Sequence, residues 1–117
     1  MLTPDLVDLN AHVILRKCAR LIDAGLYDWI VAVEPKAFRS DDGAGDTCHG
    51  SADYFHRKIT LDASFCAKGQ PYFLDVMTHE ISHALLGARS NNHGEEFEQK
   101  RRLVRKVVGE LTADWNA

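Results

Sequence analysis

An α+β fold is predicted by the order in which hydrophobic patterns follow one another along the chain. Apolar residues recur at three- and four-residue steps in three separate stretches, and short β-branched or alternating runs lie between the first and the second. Gly and Pro punctuate the joins. The expected layout is an N-terminal helix, a small mainly antiparallel sheet, a second helix and a closing C-terminal helix. At 117 residues the chain suits a single domain, 1–117, large enough to bury about 65% of its unfolded surface.

Thr3-Pro4 is a helix start signal, and Leu6, Leu9, Val13, Ile14, Cys18, Leu21 and Ile22 then follow at helical spacing until Gly25. Residues 29–33 are aromatic and β-branched and stop at Pro35, which predicts a buried strand that starts the sheet. Residues 40–46 (SDDGAGD) combine Gly and Asp with Ala44 as the sole apolar residue, as in a wide turn. Their spacing departs from the D-x-[DN]-x-[DN]-G pattern, so they are read as a solvated turn rather than a calcium loop. Residues 47–55 and 58–65 then form a hairpin, the second strand alternating Ile59 and Leu61 with Lys58, Thr60 and Asp62.

The second helix is expected over 71–86, opened by Pro71 and closed by Gly87, with Leu74, Met77, Ile81 and Leu85 as its apolar stripe. Phe97, Val104, Val108, Leu111 and Trp115 mark a third helix entered after Gly94. No internal repeat or low-complexity segment interrupts this order.

Composition narrows the function classes. Apolar residues at 45% and charged residues at 26% describe a globular chain, not a disordered one. A formal net charge of -3 argues against wrapping duplex nucleic acid, which needs a broad excess of Lys and Arg. The basic run Lys100, Arg101, Arg102, Arg105 and Lys106 is accordingly read as the solvated face of the third helix.

Cys18, Cys48 and Cys66 are odd in number and lack a C-x-x-C pair, so neither a disulfide framework nor a zinc ribbon is indicated. Cys48-His49 lacks the partners a second metal site would need, and His12 is read as a boundary residue on the first helix. Residues 1–10 do not have the layout of a signal peptide, and no apolar stretch approaches the ~20 residues that span a bilayer. A cytoplasmic protein without a membrane partner is expected.

The chemistry is concentrated in His79-Glu80-Ile81-Ser82-His83, an H-E-x-x-H motif inside the second predicted helix. A spacing of four sets two imidazoles one turn apart on one face, close enough for both to bind one Zn2+. Glu80 is offset around the helix from both rings, so its carboxylate can take a proton from a water beside the metal. A catalytic zinc usually has three protein ligands, and His93 is the natural third, because residues 88–92 (ARSNN) can turn the chain back after Gly87. Glu95, Glu96 and Glu98 are the rival third ligands. The longer H-E-x-x-H-x-x-G-x-x-H pattern is not met, since Leu86 and Arg89 stand at its Gly and His positions.

This constellation points to hydrolysis of a peptide bond in a protein or peptide substrate, with Glu80 as the base. The competing expectation is a binding module in which the same histidines hold a structural metal. The presence of Glu80 disfavours it, because a structural site needs no base.

Residues 77–97, MTHEISHALLGARSNNHGEEF, resemble the SprT-like zinc metallopeptidases and the related WLM-type minimal peptidases, in which H-E-x-x-H is followed by a histidine in an H-G-x-x-F-like segment. The resemblance implies a minimal zincin-like layout with a short sheet before the motif helix, His79, His83 and His93 as metal ligands, and Glu80 as base. Many such proteins append a cysteine-rich zinc ribbon or a DNA-binding region. This sequence has neither pattern, so a DNA-associated role is not expected. The segment HEISHALLG also resembles the ImmA/IrrE peptidases, which implies a ligand among Glu95, Glu96 and Glu98 in place of His93.

Two further expectations concern the substrate. Tyr54, His56 and Tyr72 are conceivable donors to an oxyanion, although each is more simply a turn, surface or packing residue. An exposed strand edge could hold an extended peptide by main-chain hydrogen bonds, and residues 58–61 are the expected strand.

Overall fold

A computed structural model describes residues 4–34, 50–62, 70–86 and 94–113. Helix α1 (Pro4–Leu21) leads through a short 3-10 helix (Ala24–Asp28) into strand β1 (Ile30–Glu34). Strands β2 (Gly50–Asp53) and β3 (Lys58–Asp62) follow, then helices α2 (Gln70–Leu86) and α3 (Glu95–Thr112). The class is α+β, as the patterning predicts.

The sheet has the order β1-β3-β2. Strands β2 and β3 form the expected antiparallel hairpin, with Gly50 opposite Leu61 and Asp53 opposite Lys58. Strand β1 lies parallel to β3 on the other side, with Ile30 opposite Lys58 and Glu34 opposite Asp62, so the sheet is mixed. Asp53 shapes the hairpin turn: its Oδ1 accepts from the amides of Phe55 (3.0 Å) and His56 (3.2 Å), a local turn that a short acidic side chain makes readily. Arg57 closes the turn in the left-handed region, at φ 50.

The central strand supplies fully buried Ile59 and Leu61. The helices cover them with Ile14, Leu15 and Cys18 from α1, Phe73, Met77 and Ile81 from α2, and Val104 and Val108 from α3. The 3-10 helix, which patterning does not foresee, is capped by Asp23, whose Oδ1 accepts from the Gly25 amide at 2.8 Å.

Three sequence expectations are corrected here. The inward face of α1 is Val7, Ala11, Ile14, Leu15, Cys18 and Ala19, while Leu6, Leu9, Val13 and Leu21 are 40–59% exposed. Small Ala11 and Ala19 lie on the buried face, where the larger Leu9 and Val13 do not. Strand β1 is only half-buried, with Val31 inside and Ile30 exposed, because it is an edge strand among the described residues. On α2 the fully buried aromatic is Phe73, whereas Leu74 and Leu85 pack only partly against the core.

Helix α3 begins at the Gly94 cap and carries Glu95, Glu96 and Glu98 in its first turn, where carboxylates suit the positive end of the helix dipole. The basic residues that follow line its outer side, with Arg101 paired to Glu98. His12 is a boundary residue as expected, its ring nitrogen 2.8 Å from the Asp8 carbonyl. No described helix is long and apolar enough to cross a membrane. The 40–46 turn, Cys48, His49, Cys66, Trp115 and His93 lie outside the described residues.

Candidate metal centre

Helix α2 is amphipathic in an unusual way: much of its polar side is buried as well. Thr78, Glu80 and Ser82 are all under 7% exposed. Ser82 satisfies its hydroxyl by donating to the Thr78 carbonyl at 2.7 Å, one turn back. His79 and His83, half-buried on the same helix, turn their rings towards each other, and their Nε2 atoms stand 3.0 Å apart.

That separation lets one ring donate a proton to the other, or lets two bare nitrogens face one cation. Two imidazoles on a tetrahedral zinc, at ~2.0–2.1 Å each, would hold their nitrogens about 3.3 Å apart. The pair is therefore within a few tenths of an ångström of a chelating arrangement, and its donors suit a borderline-soft divalent ion. Phe97 packs against both rings. It is buried, and its ring centroid lies 5.1 Å from that of His79 and 4.8 Å from that of His83. Helix α3 thus closes one wall of the site with hydrocarbon.

Glu80 lies 6% exposed between α2 and the start of β2. Burial without a compensating positive charge disfavours its ionised form and pushes its pKa up to about 7. A carboxyl so placed can take up and release a proton near neutrality.

The hairpin meets the same helix at a second point. The Tyr54 hydroxyl donates to the His83 carbonyl at 2.8 Å, and the Tyr54 ring meets Trp29 edge-on at 5.8 Å. His83 lies in the last turn of α2, so this hydrogen bond ties the hairpin to the end of the helix. Desolvation, and then the charge of Glu80, raise the Tyr54 pKa to about 12, which keeps the hydroxyl a donor.

The simpler turn and packing roles hold for the described members of the conceivable donor set. Tyr54 spends its proton on the helix, His56 is exposed and pairs with Asp53 at 2.7 Å in the turn, and the Tyr72 side chain lies outside the description. The strand-edge expectation changes: β3 is hydrogen-bonded on both sides and cannot take a further strand, whereas β2 is an edge among the described residues and lies against α2.

Among the rival third ligands, Glu95 and Glu96 are exposed and Glu98 accepts from Arg101 at 3.1 and 3.2 Å. Among the described residues no set of three His, Cys, Asp or Glu side chains gathers that could hold a metal ion. His79, His83 and Glu80 are brought together on α2. Gly50, Tyr54 and Phe97, which touch them, are contacts that sequence spacing does not reveal, although the H-G-x-x-F resemblance singles out Phe97.

Comparison with protein families decides the kinship. The SprT-like family model matches residues 37–116, well over half the chain. The chain belongs to the SprT-like family. No curated protein and no solved structure matches it. In this SprT-like protein the matched region takes in the β2–β3 hairpin, α2, α3 and each of His79, Glu80, His83 and His93, while α1 and β1 precede it.

Proposed function

We propose that this SprT-like protein is a zinc-dependent metallopeptidase, with His79, His83 and His93 as the metal ligands and Glu80 as the general base. The observation that carries the reading is the pair of Nε2 atoms 3.0 Å apart, beside a buried carboxyl on the same helix. When bound, zinc supplies Lewis acidity to water and to the scissile carbonyl. Glu80 takes the proton that the attacking water gives up on one of its Oε atoms and passes it to the leaving amine nitrogen. Phe97 excludes water behind the rings and limits their rotation. The edge of β2, next to Glu80, is the strand against which an extended peptide would lie, bound through its main chain.

His93 completes the set in this reading because it stands one residue before Gly94, the cap of the helix whose Phe97 already touches both rings. A glutamate ligand, as the ImmA/IrrE resemblance implies, is disfavoured by the outward or paired positions of Glu95, Glu96 and Glu98.

The test is Glu80→Gln, compared with wild type for zinc content and for cleavage of an unfolded protein such as casein. The expected outcome is unchanged zinc with cleavage reduced by about 100-fold or more, in keeping with loss of a general base. Zinc retained with no change in behaviour would instead make this a metal-stabilised binding module. His93→Ala should lose zinc; full retention would move the third ligand elsewhere.

A further inference from the structure

Gly50 opens β2, and it is buried against α2. Its φ lies outside the left-handed region, so the backbone does not call for glycine at this position. Space does. A Cβ on residue 50 would stand 2.8 Å from Val76 Cγ1, 3.0 Å from Glu80 Cγ and 3.1 Å from Glu80 Oε2. By contrast, a Cβ on Gly109 would meet nothing within 4 Å. Two of the three encounters at Gly50 are with one side chain, and that side chain carries the carboxyl assigned above as the base.

We propose that Gly50 is a positioning residue for Glu80: the bare Cα leaves the room in which the carboxyl sits, and so fixes where the base stands relative to His79 and His83. The proposal rests on the peptidase reading for its catalytic consequence, but not for its geometry. Glu80 is attached to a helix packed on the core, so it cannot retreat as a whole, and crowding at residue 50 is relieved by turning its side-chain torsions. The carboxyl then leaves its position while both imidazoles, on the neighbouring turns of α2, stay where they are.

The competing role for Gly50 is simple packing, in which it lets β2 approach Val76. Val76→Ala separates the two, because it deletes the Cγ1 atom that makes the shortest encounter and leaves those with Glu80 as the nearest. The experiment compares the Gly50→Ala/Val76→Ala protein with Val76→Ala alone, both loaded with zinc. The readouts are zinc stoichiometry, crystal structures, and kcat and KM on a peptide substrate.

The expected result is equal zinc content, a Glu80 carboxyl displaced by about 1 Å in the double variant, and a kcat lower by roughly 100-fold with KM little changed, the scale at which such misplacement acts. A Glu80 carboxyl in its original position, or a kcat equal to that of Val76→Ala, would overturn the proposal. Should the double variant fail to fold, adding Glu80→Ala must restore the folded protein, because it removes the remaining crowding atoms; no restoration would overturn it as well. Failure of the peptidase reading is visible separately, as equal cleavage by wild type and Glu80→Gln, whereas the displacement seen in the crystals does not depend on cleavage.

Discussion

A carboxyl taken out of water keeps its proton to higher pH, and Glu80, proposed above as the base, is buried in this way. Its folded-state pKa of about 7 lies above the usual 4.5, so between those values the folded state binds more protons than the unfolded one. The contribution of Glu80 to the stability of the metal-free protein is therefore greatest below the unfolded value, falls as pH rises from about 4.5 to about 7, and is level above that. The full penalty is up to about 3 kcal/mol, from some two and a half pH units of displacement. Glu80→Gln cannot ionise and escapes it. Urea titrations of chelator-treated proteins should show the variant gaining on wild type by up to about 3 kcal/mol between pH 4.5 and 7.5; a difference that stays constant with pH would contradict the burial argument. Cys18 shows the same physics, its thiol raised to about 12 by burial. At this scale the sequence is legible where placement obeys helical spacing, as with the imidazoles of His79 and His83 one turn apart. It is silent on Gly50, whose meaning comes from a side chain thirty positions along the chain.

Elements follow their patterns only as far as neighbours allow. The three helices were predictable from periodicity and end signals, yet the phase of α1 was not, because its apolar residues outnumber one face. Leu6, Leu9 and Val13 lost the inner side to Val7, Ala11 and Leu15. The parallel placement of β1 beside β3 was equally hidden, since pairing partners depend on where the connecting chain runs and not on the strand's own residues. What the hairpin does for α2 was also unreadable: Tyr54 looks like a turn residue until its hydroxyl is found on the His83 carbonyl. Tyr54→Phe removes that hydrogen bond between the hairpin and the helix end, which costs about 1 kcal/mol. Amide exchange in the last turn of α2 should accelerate correspondingly. If the variant melts as wild type does and exchanges no faster, the bond does not hold the helix end.

For the whole molecule, the question is what ties α2 to α3 around the site. Phe97 already packs on both imidazoles, so the two helices share a wall before any metal is considered. With His93 as third ligand, the metal would join α2 to the segment that leads into Gly94 and α3, and binding energy would become folding energy. A ligand that binds only the native state at 100 times its Kd adds about 2.7 kcal/mol. For a chain of this size that corresponds to a rise in Tm of roughly 10 °C. Zinc should thus raise the melting temperature of chelator-stripped wild type by about that amount. The same free zinc should raise His93→Ala far less, because two imidazoles on one turn chelate weakly without a third donor. His12→Ala, which removes a boundary imidazole on α1, should respond like wild type. An equal rise in the His93→Ala protein would show that another side chain completes the centre. No rise in any of the three would mean that the 3.0 Å approach of the two rings is a hydrogen bond between histidines and nothing more.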